Sequence, residues 1–122
     1  MFFPVDLWFR AFALTVLVEL PIVALLLRRA EPDRVRLVVL IVLANLATHP
    51  AVWFIWTQPF LVGTTEYLVV AESWAVAVEA VFYWAAFRGL PVGRAILVAF
   101  VANAASFLLG QLVATAWPSL FG

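Results

Sequence analysis

Apolar residues fill four long stretches of the chain, and polar residues gather in the short segments between them. The stretches lie near 6–28, 35–57, 66–88 and 92–116. Each reaches the roughly 20 apolar residues that a helix needs to cross a bilayer. The connecting segments contain Pro or Gly and read RAEPDR, TQPFLVGTTE and RGLPVGR. The pattern predicts an all-α membrane protein, with residues 1–122 forming a single four-helix transmembrane domain.

The amino-acid composition indicates that lipid, and not water, surrounds the helices. Hydrophobic residues make up 67% of the 122 residues and charged residues only 11%. A soluble domain of this length could not keep so much apolar surface away from water, so lipid is the expected environment. The chain has no cysteine, which excludes disulfides and thiolate catalysis.

The arginines predict an orientation. Six of them lie in or beside the first and third connecting segments: Arg28, Arg29, Arg34, Arg36, Arg88 and Arg94. The middle segment has no basic residue, so the positive-inside rule puts both termini outside, with Arg10 as the exception. The use of arginine without lysine favours a bacterial source. We therefore expect a multi-pass protein of the bacterial plasma (inner) membrane.

The polar residues of the first two stretches recur in the last two. A glutamate precedes an arginine by nine positions in the odd stretches. An arginine precedes an asparagine by nine positions in the even ones, and a hydroxyl residue follows three positions later. The matched sets are Glu19, Arg28, Arg36, Asn45 and Thr48, and Glu79, Arg88, Arg94, Asn103 and Ser106. This spacing predicts a parallel tandem repeat of two helical hairpins, with units of about 6–57 and 66–116; an accidental match is the alternative.

The same spacing predicts how deep the polar residues lie in the bilayer. Nine helical residues rise about 14 Å, so two glutamates and two asparagines should share one layer near the middle of the bilayer. A charge at that depth costs about 2.5–3.5 kcal/mol on insertion scales. The carboxyls of Glu19 and Glu79 should therefore face each other or the asparagines. In a low dielectric they would share a proton or bind a cation.

The candidate binding residues follow from this layer. They are Glu19, Glu79, Asn45, Asn103, Thr48, Ser106 and His49. Carboxylate, amide and hydroxyl oxygens suit a divalent cation such as Mg²⁺, Ca²⁺ or Mn²⁺, with Glu19 and Glu79 as its ligands. His49, which matches Phe107 in the second unit, would serve as an outer relay. Glu66 and Glu72 are expected to be solvated near the outer headgroups.

Three classes of function fit these residues. The first is transport of a proton or small cation bound at the layer. The second is an intramembrane hydrolase, in which Glu19 or Glu79 activates water with help from His49 and an asparagine. The third is a structural subunit of a homo-oligomer or larger membrane complex, with the polar side chains acting as interhelical glue. The lipid bilayer is the expected partner in all three, and nucleic acid is not.

The arrangement of these residues also resembles a known pattern. It consists of Glu19, then Asn-x-x-Thr-His-Pro over 45–50, then Glu79, then Asn-x-x-Ser over 103–106. It resembles the pattern of small uncharacterised bacterial four-span membrane proteins and covers most of the chain. The resemblance implies the four-span fold and no particular activity.

Overall fold

The computed structural model describes residues 5–61 and 64–120, and all regular structure in them is helical. The long helices are α1 (Val5–Leu27), α2 (Arg34–Pro50), α3 (Thr65–Ala86) and α4 (Val92–Ala116). A π-helical segment, Ala51–Ile55, extends α2, and a 3₁₀ turn, Pro118–Leu120, follows α4. Counted with its extension, α2 is one of four helices long and apolar enough to cross a membrane. The prediction of four membrane-length helices is therefore confirmed.

The helix ends follow from the residues that flank them. Asp33 begins α2 because its carboxylate accepts hydrogen bonds from the backbone N–H of Val35 and Arg36, at 3.0 and 3.2 Å. Thr64 caps α3 in the same way through the N–H of Tyr67. The turn before α4 uses Gly89, whose φ of 74° is costly for any residue with a side chain.

The π-helical segment begins directly after Pro50. Proline has no N–H to donate, which breaks the regular hydrogen-bond ladder of α2. The next turn is wider, and Trp56 N–H reaches back five residues to the carbonyl of Ala51 at 2.9 Å. The hydroxyl of Tyr67 on α3 donates to the Val52 carbonyl at 2.9 Å. The outer end of α2 is thereby tied to α3.

The four helices form a ring, in which each packs mainly against two neighbours. α1 lies against α2 and α4, and α3 lies against the same two helices. Alanines let α4 approach closely, and Ala95, Ala99 and Ala102 are completely buried. Large apolar side chains such as Leu17, Phe100 and Leu112 are exposed on the outer surface of the ring, as expected for a surface in contact with lipid.

Candidate functional site

A layer of buried polar side chains crosses the middle of the bundle, and every helix contributes to it. Among the described residues, the buried polar or charged side chains are Glu19, Asn45, Thr48, Glu79 and Asn103. Ser106 of α4 is half-buried beside them. The two glutamates, at 0% and 1% exposure, are turned into the bundle, as their cost in lipid requires. We call these six residues the polar layer.

Both carboxyl oxygens of Glu79 accept hydrogen bonds. The Thr48 hydroxyl on α2 donates to Oε1 at 3.2 Å, and the Asn103 amide on α4 donates to Oε2. Asn103 uses its second N–H on the Ala99 carbonyl at 2.8 Å, which fixes the orientation of the amide. Glu79 is therefore held by donors from both neighbouring helices.

Glu19 is held less completely. Its Oε1 accepts from the Ser106 hydroxyl at 2.8 Å, whereas its Oε2 is buried without a hydrogen-bond partner. The Asn45 side chain lies close enough to interact with this carboxyl. Asn45 donates to the Ile41 carbonyl at 3.0 Å, and its own Oδ1 is left without a partner. The layer thus contains two buried oxygen atoms that could each accept another hydrogen bond.

The charge of the layer is not balanced by protein cations. The Glu19 and Glu79 carboxyls are close enough to interact electrostatically. Within residues 5–61 and 64–120, neither carboxyl is hydrogen-bonded by a basic side chain. The salt bridge found in this part of the chain joins Arg36 to Glu31 at 3.2 Å, at the arginine-rich end. Two ionised carboxylates would therefore need a proton or a bound cation from outside the protein.

A cavity of about 310 Å³ lies on one side of the polar layer. Most of its lining residues come from the first half of α1 and α3, from the second half of α2 and α4, and from the π-helical segment, so it extends away from the arginine-rich turns. It reaches Asn45, Thr48, Glu79, Asn103 and Ser106, and its remaining walls include Thr15, His49, Trp53, Tyr67, Glu72 and Phe107. The layer is thus accessible from the end of the bundle that contains the α2–α3 connection.

His49 lies in the wall of this cavity but outside the polar layer. Its Nε2 is 3.3 Å from the Thr15 hydroxyl, and its Nδ1 is buried without a partner. Its ring packs against Phe12 and Trp8, with centroids 5.6 and 6.5 Å away. Among the described hydrogen bonds, none joins His49 to either glutamate.

Two residues near the layer, Glu72 and Tyr83, were not among the candidate binding residues drawn from the sequence. Glu72 was expected to be solvated, as Glu66 was. In the structure Glu66 is exposed, whereas Glu72 is partly buried and lines the cavity. The signal for Glu72 was its position seven residues before Glu79, which places both on one face of α3. Tyr83 is fully buried on the opposite side of Glu79, near both carboxyls, with its hydroxyl unpartnered.

The described residues do not bring together three or more His, Asp or Glu side chains able to hold a metal ion. The expected divalent cation would therefore have two carboxylates at most, completed by amide, hydroxyl and water oxygens.

No protein-family model matches the chain, and comparisons with curated proteins and with solved structures find no significant match. A functional assignment must therefore come from the geometry of the polar layer and the cavity beside it.

Proposed function

We propose that the chain is an integral protein of the bacterial plasma membrane whose polar layer binds a proton or small cation and couples it to transport. One observation carries this proposal. Two glutamates from α1 and α3 are buried together, accept hydrogen bonds from neutral donors, and have no basic partner in the described part of the chain. Interhelical contacts alone would not require two carboxyls of the same charge.

The cavity gives this site a route of access. It connects the layer to the end of the bundle away from the arginine-rich turns, while the other half of the bundle is filled by apolar side chains such as Val23, Leu27 and Phe87. The arginines around the first and third turns favour a cytoplasmic location for that filled half. On this orientation the termini are outside, and the site is loaded from the outer face.

The tandem repeat is the second part of the proposal, and the contacts of the layer support it. Each glutamate interacts with the asparagine of its own hairpin: Glu79 with Asn103, and Glu19 with Asn45. Each also accepts a hydrogen bond from the hydroxyl residue of the other hairpin: Glu79 from Thr48, and Glu19 from Ser106. Exchange of the two hairpins reproduces this set of contacts.

Two arginine contacts are also related by exchange of the two hairpins. Arg36 of the first hairpin donates to the Ala86 carbonyl of the second at 3.2 Å. Arg94 of the second hairpin donates to the Leu26 carbonyl of the first at 3.0 Å. Leu26 and Ala86 are sixty positions apart, as Glu19 and Glu79 are. A pseudo-two-fold axis along the bundle would let the hairpins move against each other around the shared layer.

We favour binding over hydrolysis because His49 interacts with Thr15 and not with either glutamate. A hydrolytic site of the expected kind needs the histidine within hydrogen-bond reach of the water-activating carboxyl or of the reacting group. The alternative of a structural subunit assigns no ion to the polar layer, so an ion-binding experiment distinguishes it from the transport proposal.

The test is proton binding and proton flux by purified protein. Wild-type protein in weakly buffered detergent should take up protons as the pH is lowered, and should acidify liposomes that contain a pH-sensitive dye when a gradient is imposed. Glu19→Gln with Glu79→Gln should keep the fold, judged by circular dichroism and gel filtration, and lose both signals. Glu66→Gln, which changes an exposed carboxyl on α3, is the matched control. A folded double variant with wild-type proton uptake and flux would refute the proposal.

A further inference from the structure

The cavity beside the polar layer adjoins the outer surface of the bundle through a groove between α3 and α4. This lateral groove has a volume of about 190 Å³, and it shares Glu72, Asn103 and Phe107 with the cavity. A shallower groove of about 430 Å³ continues from Glu72 along Val76 and Phe100 towards the arginine-rich end. Glu72 is therefore the acidic group at the point where the cavity and both grooves meet.

On the opposite side of the bundle, aromatic rings occupy the position that corresponds to this opening. The proposed repeat relates Leu68 to Trp8 and Glu72 to Phe12, sixty positions earlier. Trp8 stacks on Phe12 at 5.4 Å. Phe12 in turn packs edge-on against His49. The smaller Leu68 and the acidic Glu72 leave the α3–α4 side open.

Two of the polar groups around this opening, Asn45 Oδ1 and the Glu72 carboxyl, are acceptors without a donor. The Asn45 side chain is 1% exposed and lines the cavity, and its Oδ1 has no partner. Among the described residues, no side chain or backbone N–H donates a hydrogen bond to the Glu72 carboxyl either. In the described part of the chain no arginine lines the cavity or the lateral groove, and the histidine in the cavity wall, His49, interacts with Thr15. A complementary ligand brings positive charge, several N–H groups and an apolar part.

We propose that the transported cation is a primary alkylammonium ion that enters from the bilayer between α3 and α4. Its ammonium group binds between Glu72 and Glu79, and donates to Asn45. Its alkyl chain lies in the groove along Val76 and Phe100. This inference rests on the proposed function, since the arriving cation displaces the proton held by the glutamate pair. We choose a free amine over an aminophospholipid because a phosphate would lie beside Glu72 with no basic side chain to neutralise it.

The first experiment measures proton release from purified protein in detergent with a pH-sensitive dye. The probes are n-alkylammonium chlorides from methyl to octyl, with tetramethylammonium and lysophosphatidylethanolamine as comparisons. Binding should release protons, and affinity should rise about four-fold per methylene until the groove is filled. Tetramethylammonium has no N–H and should bind at least ten-fold more weakly than butylammonium, which has the same number of carbon atoms. Stronger proton release by the lysolipid than by every alkylammonium would overturn the choice of ligand.

Two variants test the route and the head-group site. Leu68→Trp places a tryptophan in the groove, as the first hairpin has at the corresponding position, Trp8. It should weaken the binding of hexylammonium at least ten-fold and have little effect on the binding of methylammonium. Val69→Trp, on the exposed surface next to it, is the matched control. Glu72→Gln should weaken both amines at least ten-fold, whereas Glu66→Gln should weaken neither. Equal behaviour of Leu68→Trp and Val69→Trp would refute entry through the groove.

The outcomes separate this inference from the function on which it rests. If wild-type protein takes up protons at the polar layer but no alkylammonium releases them, the ligand inference fails and the proton site stands. If Glu19→Gln with Glu79→Gln leaves proton uptake unchanged, both fail. Proton release that is lost in Glu72→Gln, with proton uptake retained, supports both.

Discussion

Glu19→Gln replaces one oxygen of a fully buried carboxyl with an amide nitrogen and keeps the shape of the side chain. The acceptor for the Ser106 hydroxyl is retained, because Glu19 uses only Oε1 for that bond. The new amide N–H can donate to the unpartnered Oδ1 of Asn45. In effect the substitution adds one interhelical hydrogen bond, worth about 0.6 kcal/mol in measured membrane proteins, and removes half of a like-charged pair.

The larger effect comes from the charge. A carboxylate at the centre of a spanning helix costs about 2.5–3.5 kcal/mol on insertion scales. If Glu19 and Glu79 share one proton, each carries the charge for about half of the time, so removing one carboxyl recovers about 1–2 kcal/mol. Glu19→Gln should therefore raise the free energy of unfolding and leave Glu79 as the one carboxyl of the pair that can hold a proton, as expected where a destabilised site is kept for function.

The assay is reversible unfolding in mixed detergent micelles of increasing dodecyl sulfate fraction, followed by circular dichroism. Glu66→Gln is the control, and as an exposed change it should stay within about 0.5 kcal/mol of wild type. A free energy of unfolding for Glu19→Gln equal to or below the wild-type value would refute the reasoning. It would mean that the carboxyl is a structural element of the bundle and carries no net charge there.

Three further substitutions test separate parts of the fold. Asp33→Ala removes the cap of α2 and should lower the free energy of unfolding by about 1 kcal/mol without changing proton uptake; an unchanged unfolding midpoint would count against the cap. Tyr67→Phe removes the hydrogen bond to the Val52 carbonyl and should speed amide hydrogen exchange in 52–56, with a loss of about 1 kcal/mol; unaltered exchange would contradict it. Tyr83→Phe removes a buried hydroxyl without a partner and should stabilise the protein by about 1 kcal/mol, measured in the same micelle titration, whereas destabilisation would show that this hydroxyl has a partner.

Helix number and length were predictable because spanning helices in lipid satisfy their backbone hydrogen bonds internally and leave a simple apolar signal. The ends of α2, α3 and α4 fall within a few residues of those predicted from Pro, Gly and charged residues. The π-helical segment after Pro50 was not predicted. Proline indicates where a helix is disturbed, but neither the kind of turn that follows nor its tertiary contact, the Tyr67 hydroxyl on the Val52 carbonyl, can be read from the local sequence.

The composition of the polar layer was also predictable, because depth follows from the rise of a helix counted from the arginines. The contacts between particular side chains within the layer were not predictable. A one-dimensional count does not give the rotation of each helix, so it could not tell that Thr48 contacts Glu79 while Ser106 contacts Glu19. The same limit hid the role of Glu72, since a residue near the headgroup level becomes part of a cavity only when its helix is turned inward.

Infrared spectroscopy of the carboxyl groups tests the central claim most directly, because protonated and ionised carboxyls absorb in separate bands. Wild-type protein at neutral pH should show a protonated carboxyl band that is lost in Glu19→Gln with Glu79→Gln and kept in Glu66→Gln. Addition of the cation that the layer binds should convert this band to the carboxylate form. A spectrum that is identical in wild type and the double variant would contradict a shared proton in the polar layer.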